Sequence, residues 1–415
     1  MKRSLQIHPQ MSSHEPLKVL MLTSCYPRNH DDSAGLFVRQ MAETLSKLAM
    51  EIHVLAPSDG KKGTFIENNV VVHRFEYFPS ALQGLAYGSG MLSNLRRRPW
   101  LWVQVPPFLL CMAYAAFRII RKENPHLIHA HWILPQGFVA VLAKFVFRKP
   151  VITTAHGSDA FALRGWLTEP LKRFVLRQSN AWTSNTRATA GALGAPGRLP
   201  TPHVIPMGVN VGEFQKGMRS VRRKELPDGE LLVLFVGRLV ESKGLADLLT
   251  AMSLLPPDLR SRTTLWIIGE GAGRTELQAL CDALGIGAKT RFLGHLSNHI
   301  LPDFYAAGDL LVVPSISTSW GEAEGQGIVT LEAFANRLCV LATSTGGTSE
   351  VIDDGQTGIL VEPRSPEKLA AAMTRLLNSQ ELRRKLGSNG WTKVNRCYDW
   401  KKIADDFSEL YQAVL

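Results

Sequence analysis

Cysteine is scarce and scattered in this chain. The five residues, Cys25, Cys111, Cys281, Cys339 and Cys397, form no CxxC pair and no Cys/His cluster. Neither a disulfide framework nor a zinc site is supported, and a reducing cytoplasm is the natural setting. A long uninterrupted apolar run is also missing. The most apolar stretch, residues 100–120, is broken by Gln104, Pro106, Pro107 and Arg118 and falls short of a clean membrane span. Residues 1–16 are polar and lack the apolar core of a secretory signal, so 1–15 are read as a flexible leader outside the fold. No repeat of solenoid type is visible. With 45% hydrophobic and 20% charged residues there is no disorder signature either.

What is present fits two domains, because 415 residues exceed one ordinary core. Short apolar runs alternate with amphipathic stretches, the βαβ pattern of parallel sheets. Strands are expected at 18–23, 51–56, 70–75, 127–130, 151–154, 181–184 and 203–205. The pattern then restarts at 231–236, 264–268, 290–293, 310–313, 340–342 and 358–361, with helices between, such as 36–47, 245–254 and 275–284. The polar, glycine-containing stretch between them sets the expected boundaries. These are a first domain at 16–208, a linker at 209–229, a second domain at 230–395, and a helix at 396–415 returning toward the first domain. The expected fold class is α/β, with two Rossmann-like, doubly wound parallel-sheet domains facing across a cleft. Ligands of such sheets bind at the carboxyl ends of strands.

The net charge of +11 is unevenly placed: 24 Lys and Arg face 11 Asp and Glu up to residue 205, and 23 face 25 thereafter. Excess basicity therefore belongs to the first half. Nucleic acid, an anionic membrane surface and an acidic substrate compete to explain it. The run Arg96, Arg97, Arg98 precedes Trp100 and Trp102, and cations beside interfacial tryptophans favour a membrane surface over nucleic acid. A solvated loop ahead of an ordinary buried helix reads equally well.

The strongest chemical signal is the run WGEAEGQGIVTLE at 320–332, after the expected strand 310–313. Gly325 and Gly327 let a backbone approach a ligand closely, and a helix beginning near Ile328 offers free N–H groups and its positive end to a diphosphate. Glu324 and Glu332 are separated by seven residues. A helix starting at Ile328 carries Glu332 about one turn in, within reach of a ribose, while Glu324 on the loop faces a sugar. The plain alternative is an acidic loop capping a helix, since Glu322 and Glu324 both suit an N-terminus. The second signal is FVGRLVESKG at 235–244, which sets Arg238 and Lys243 on a loop opening a helix. A departing nucleoside diphosphate needs fixed positive charge where negative charge grows. Standing alone, the pair would be two surface cations.

Together these motifs resemble the retaining GT-B glycosyltransferases of family 4, whose hallmark is two glutamates seven residues apart with an Arg and Lys pair upstream. The resemblance spans nearly the whole chain, including the loop 26–35 and the run TAHGSD at 154–159. It implies that Gly35 approaches the donor diphosphate and His156 contacts the transferred sugar. Arg238 and Lys243 would hold the diphosphate, and Glu324 the sugar hydroxyls. Gly325, Gln326, Gly327 and Ile328 would hold phosphate and sugar, and Glu332 the ribose. His295 resembles a residue framing the nucleobase, where a plain loop reads nearly as well. Gln326 stands where the family usually has an aromatic residue, a form that resembles polysaccharide-assembly members. Read on its residues, His156 at a strand end is either a structural histidine or, given Gly157 and Asp159, part of the cleft. His129 and His131 have a spacing that could suggest metal, but no third ligand is near, and His131 is assigned to the acceptor cleft with Asp159.

The resemblance implies transfer of a hexose from a UDP- or GDP-sugar to a hydroxyl of a saccharide or polyprenyl-linked saccharide. It also implies no metal and no cofactor, the nucleotide-sugar being a co-substrate. Nucleic acid is not an expected partner. The expected setting is cytoplasmic, peripheral on the inner face of the membrane. Two rivals remain: a sugar-nucleotide epimerase or hydrolase on the same fold, and a basic polyanion- or membrane-binding protein.

Overall fold

The structure, a computed structural model, describes residues 16–29, 31–88, 90–194 and 199–415, so the expected leader lies outside the described residues. Two sheets form. The first is built from β1 (Leu17–Leu22), β2 (Met50–Pro57), β3 (Gly63–Glu67), β4 (Val70–Phe75), β5 (Leu127–His131), β6 (Val151–Ala155), β7 (Ala181–Ser184) and β8 (His203–Val204). Their spatial order is β3-β4-β2-β1-β5-β6-β7-β8. The second sheet comprises β9 (Leu231–Val236), β10 (Thr263–Ile268), β11 (Thr290–Gly294), β12 (Leu310–Val313), β13 (Val340–Thr343) and β14 (Ile359–Val361), in the order β11-β10-β9-β12-β13-β14. All pairings in the second sheet are parallel, as are those of the first apart from β3 with β4.

The antiparallel strand β3 escapes the periodicity because four of its five residues are exposed. It is joined to β4 by Asn68 and Asn69, both at positive φ (47° and 65°), the backbone of a tight hairpin in which asparagine tolerates the left-handed region. The other expected strands form, with ends shifted by a residue or two.

Alternation along the strands divides each sheet's two faces. In β1, Leu20 and Leu22 join one buried cluster, while Val19 and Met21 join another. The helices that matter below are α1 (Leu36–Ser46), α2 (Val105–Glu123), α3 (Phe138–Phe147), α4 (Thr168–Gln178), α5 (Arg187–Leu193), α6 (Leu245–Ser253), α7 (Ile328–Ala335), α8 (Thr348–Val351) and α9 (Trp400–Val414). On one face of the first sheet α2 buries Phe108, Met112, Ala116, Ile119 and Ile120; α3 lies beside it and α4 beside α3. The apolar run Pro99–Glu123 is long and apolar enough to cross a membrane by length and composition, but this row of side chains is core of the first domain.

On the opposite face, α9 returns from the second domain and packs beside α1. Trp400, Ile403, Phe407, Leu410 and Tyr411 are buried among Val19, Met21, Val38 and Met41. The expected linker 209–229 is not a free connector. Val209, Val211 and Phe214 are buried in the second domain's core, and Arg219 donates to the carbonyls of Ala306 and Gly308. Apolar Val211 and Phe214 make the stretch stick to the sheet it precedes. The chain thus crosses between domains at Gly208 and again near Asp399. The two crossings are joined, Val209 N–H donating to Tyr398 O at 2.9 Å. A Cβ on Gly208 would stand 2.8 Å from the Trp400 ring, so the crossing passes only as glycine.

Candidate active site

Each sheet reverses its winding once, between β1 and β5 in the first and between β9 and β12 in the second. The loops leaving those four strands, with those leaving the neighbouring β6, β11 and β13, carry the chemically distinctive residues, where a doubly wound sheet opens a crevice.

In the second domain, β9 runs into Gly237 and Arg238, and a single 3-10 turn, Glu241–Lys243, leads to α6. Gly244 sits at φ 64°, and a Cβ there would lie 1.9 Å from the Pro314 carbonyl oxygen, so this loop is pressed against the end of β12. That contact brings Lys243 to Glu324: Nζ stands 2.5 Å from Oε2, and Ser315 Oγ donates to the same oxygen at 3.2 Å. Burial pushes the Glu324 carboxyl up, but the charge and hydrogen bond of Lys243, Ser315 and the charge of Arg238 hold it below the usual range. Glu324 is therefore an ionised carboxylate. Arg238 is partly exposed, 3.8 Å from Glu322, and close enough to Cys25 across the crevice to bias its thiol.

Helix α7 begins at Ile328 behind Gly327, whose φ of 79° makes the turn. Its first-turn N–H groups and positive end face the loop carrying Glu324, and no acidic residue occupies that turn. Glu332 lies one turn in. It accepts a hydrogen bond from the buried Tyr305 hydroxyl at 2.6 Å, and burial raises its carboxyl to about 7.

Gly325 has a different environment from the one its spacing suggests. A Cβ on it would meet His156 O at 2.6 Å, and a Cβ on Gly157 would meet Gly325 Cα at 2.8 Å. Two glycines, one from each domain, cross here. Thr186 Oγ1 donates to Gly325 O at 3.1 Å, securing the same contact. Gln326 is also drawn into the domain contact: its amide bonds both backbone groups of Met207, leaving only its main chain for a ligand.

Across the crevice, His156 directly follows β6 with its ring against Phe37 and Trp132, at centroid distances of 4.9 and 4.8 Å. His131 Nδ1 lies 3.1 Å from His156 Nε2. Burial and the neighbouring His131 keep His156 neutral through the physiological range. His131 itself is fully buried, so it lies behind His156 instead of lining an acceptor cleft. The cause is strand alternation: His129 and His131 share one face of β5, and that face is covered by α9, whose Tyr411 hydroxyl is 2.7 Å from His129 Nδ1. Asp159 is likewise a fixed support. Its carboxylate accepts the N–H groups of Ile133, His156 and Gly157 at 3.0, 3.0 and 3.1 Å and is 3% exposed. Gly35 precedes α1 at φ 73°, where a Cβ would strike Cys25 O at 2.3 Å. His295 reaches over the crevice, its Nε2 3.0 Å from the Asp31 carbonyl oxygen.

The structure therefore brings Arg238, Lys243, Glu324, Gly327, Ile328, Glu332 and His156 to one crevice, and turns Gln326, His131 and Asp159 to holding it together. Sequence reasoning missed Tyr305, Ser315 and Thr186, and the contact that Glu350 makes. The Glu350 carboxylate, from α8, accepts the Arg187 and Ala188 N–H groups at the start of α5 in the other domain, at 2.8 and 2.7 Å. Of these, only Glu350 has a signal in the sequence, the run GGTSE at 346–350 just after a strand. Among the described residues one cluster could hold a cation, Glu51, His53 and Glu123. It lies at the start of β2 and the end of α2, the opposite end of the sheet from the crevice.

Residues 219–393 match the family Glycosyl transferases group 1, and residues 34–213 match Glycosyltransferase Family 4. The chain is 32% identical over 336 residues to the D-inositol 3-phosphate glycosyltransferase of Geodermatophilus obscurus, covering 74% of this chain and 71% of that one. It is 26% identical over 422 residues to a Bacillus subtilis protein named as teichuronic acid biosynthesis glycosyltransferase TuaC, covering 96% and 99%. In three dimensions it resembles sucrose-phosphate synthase of Thermosynechococcus elongatus, with a TM-score of 0.79 and 23% identity over 96% of this chain and 98% of that one. Both domains take part in that likeness, which is the GT-B arrangement.

Proposed function

This chain belongs to the group 1 glycosyltransferases, and we propose that it moves a hexose, with retention and without a metal, from a UDP- or GDP-sugar to a saccharide hydroxyl in cell-surface polysaccharide assembly. The observation that carries this reading is the convergence of Lys243, Glu324 and the N-terminus of α7 on one crevice, with neutral His156 opposite. The diphosphate binds Arg238, Lys243 and the free N–H groups opening α7, with Gly35 at the start of α1 approaching from the other domain. Glu332 takes the ribose hydroxyls, and His295 frames the base. Glu324 and His156 bind the hexose from opposite sides.

Chemistry then follows from where charge grows. As the bond between the anomeric carbon and the phosphate oxygen breaks, its electron pair passes to the diphosphate, which Arg238, Lys243 and the helix end stabilise. The acceptor oxygen attacks from the face the phosphate leaves, and its proton passes to a phosphate oxygen. Two fixed cations and a helix end perform the charge neutralisation that a divalent metal performs elsewhere. A polyprenyl-linked acceptor at the cytoplasmic face of the membrane fits the basic first domain, and is the acceptor class we favour.

Incubation with a panel of UDP- and GDP-hexoses, with nucleotide release measured with and without EDTA, tests this. Slow release from one donor, indifferent to EDTA and lost in Glu332→Ala, is expected. Release abolished by EDTA rejects the metal-free reading. Binding of no donor rejects the donor assignment.

A further inference from the structure

The outer faces of α2, α3 and α4 look away from the first sheet, yet they are not polar. Along α2 and the turn before it, every fourth residue from Trp102 is exposed: Trp102, Pro106, Leu110 and Tyr114, then Arg118 and Lys122. A solvent-facing helical row is ordinarily polar. Here it is apolar for three turns and then cationic. Leu110 and Tyr114 are each 71% exposed. The neighbouring helices continue the surface. Leu142, Phe145 and Val146 stand out from α3 and Phe174 from α4, the Phe145 and Phe174 rings 6.4 Å apart. Trp166, on the loop into α4, is 83% exposed.

The charge around this plate is predominantly positive. From residue 97 to 178 there are twelve Lys and Arg against three acids, Glu123, Asp159 and Glu169; Asp159 is buried, and so is Lys172, which pairs with Glu169. Arg97 and Arg98 lie at one end of the plate, Arg121 and Arg148 at the other, all exposed. A hollow lined by Pro170, Arg173, Phe174, Arg177 and Gln178 opens beside it. Arg96, by contrast, turns to the second domain, over the Trp320 ring, and takes no part.

We propose that this three-helix face docks on an anionic lipid surface. Charge complementarity selects that occupant. A second copy of the chain, meeting it about a two-fold axis, would set this cationic rim against itself. Nucleic acid has no use for Leu110, Val146 or Leu142, whereas the headgroup boundary takes tryptophan and tyrosine at its edge, aliphatic side chains below and cations at the phosphates. The proposal identifies the partner surface of the lipid-linked acceptor reading, but lipid binding needs neither donor nor turnover, so each can fail alone.

Flotation of the purified protein with phosphatidylcholine vesicles, with and without phosphatidylglycerol, tests it. Binding only to the anionic vesicles, reversed by high salt, is expected. Leu110→Glu combined with Phe145→Glu weakens partitioning by about tenfold or more, while Ile66→Glu, on the exposed strand β3, leaves it unchanged. Should the double variant fold poorly, quenching of tryptophan fluorescence by brominated phosphatidylglycerol in the unaltered protein decides. Quenching that falls in the variant with Trp100, Trp102 and Trp166 each changed to Phe supports the face proposed. The proposal is overturned by any of three results: no flotation with anionic vesicles, flotation unaffected by the double variant, or absence of quenching.

Discussion

The side-chain amide of Gln326 closes on both backbone polar groups of Met207: Oε1 accepts from Met207 N and Nε2 donates to Met207 O, each at 2.8 Å. Gln326 sits between the glycines of the loop that precedes α7, and Met207 stands one residue before the crossing between domains at Gly208. One side chain thus ties the loop expected to carry the donor to the hinge about which the domains would close.

Replacing Gln326 by Leu leaves a buried N–H and C=O of Met207 unpaired, a loss of about 1–3 kcal/mol for each group. The fold should survive, since the loss falls on the domain contact. Turnover should drop about tenfold or more. Small-angle scattering should show a more open particle, and an unchanged scattering profile with unchanged turnover would remove the latch role.

Glu350 makes the second tie, capping α5 across the interface through Arg187 N and Ala188 N. Glu350→Ala removes a cap worth about 1 kcal/mol. The expected effect is a several-fold rise in donor KM with little change in kcat, because closure, and not the reacting groups, is weakened. A kcat loss at constant KM in steady-state assays would contradict it.

Lys243 is the partner of buried Glu324 and the proposed cation for the diphosphate. Lys243→Ala should lower kcat by about two to three orders of magnitude, the cost of losing one donor at a developing oxyanion. It also leaves the buried Glu324 carboxylate with only the Ser315 hydrogen bond and the charge of Arg238, so its pKa should rise, visible by carboxylate NMR. Equal activity of wild type and variant would exclude Lys243 from the leaving-group site.

Glu332 should make donor binding depend on pH. Burial raises its carboxyl to about 7, partly opposed by the Tyr305 hydrogen bond. Ribose hydroxyls bind the ionised form, so donor affinity should rise with pH, by up to about tenfold per unit below 7, and level off above. Folding carries the opposite sign. The folded state holds this proton more tightly than the unfolded chain, so its contribution to stability is present below the usual carboxyl range and is lost as pH rises through about 7. Glu332→Gln should flatten both profiles, measurable by donor titration calorimetry and by thermal melts from pH 5 to about 8.

Tyr411 anchors the returning helix through His129. Tyr411→Phe leaves a buried ring nitrogen unpaired at a cost of about 1–3 kcal/mol, lowering the first domain's melting temperature by roughly 2–8 °C. No shift in calorimetry would mean that the helix is held by its apolar face alone.

The sequence by itself determined the fold class and the positions of every strand but β3, because those are local properties. Period-two and period-3.6 patterns mark strands and helices wherever they fold. Glu324, and Arg238 with Lys243, lie in connections whose place at a strand's carboxyl end follows from chain order, and Glu332 lies one turn into the helix that follows. The helix start at Ile328 was legible for the same reason, in Gly327 and the apolar run after it. Tertiary structure decided what those residues touch. Gly325, expected to approach a ligand, meets Gly157 of the other domain; Gln326 binds a hinge backbone group 119 residues away. His131 is buried because α9, whose Tyr411 is 282 residues from His129, covers its side of β5. Strand β3 was missed because an edge hairpin with an exposed strand carries no buried alternation to read. A spacing can say which groups share an element, but burial and partners depend on what packs against that element, and here that comes from the opposite domain and the far end of the chain.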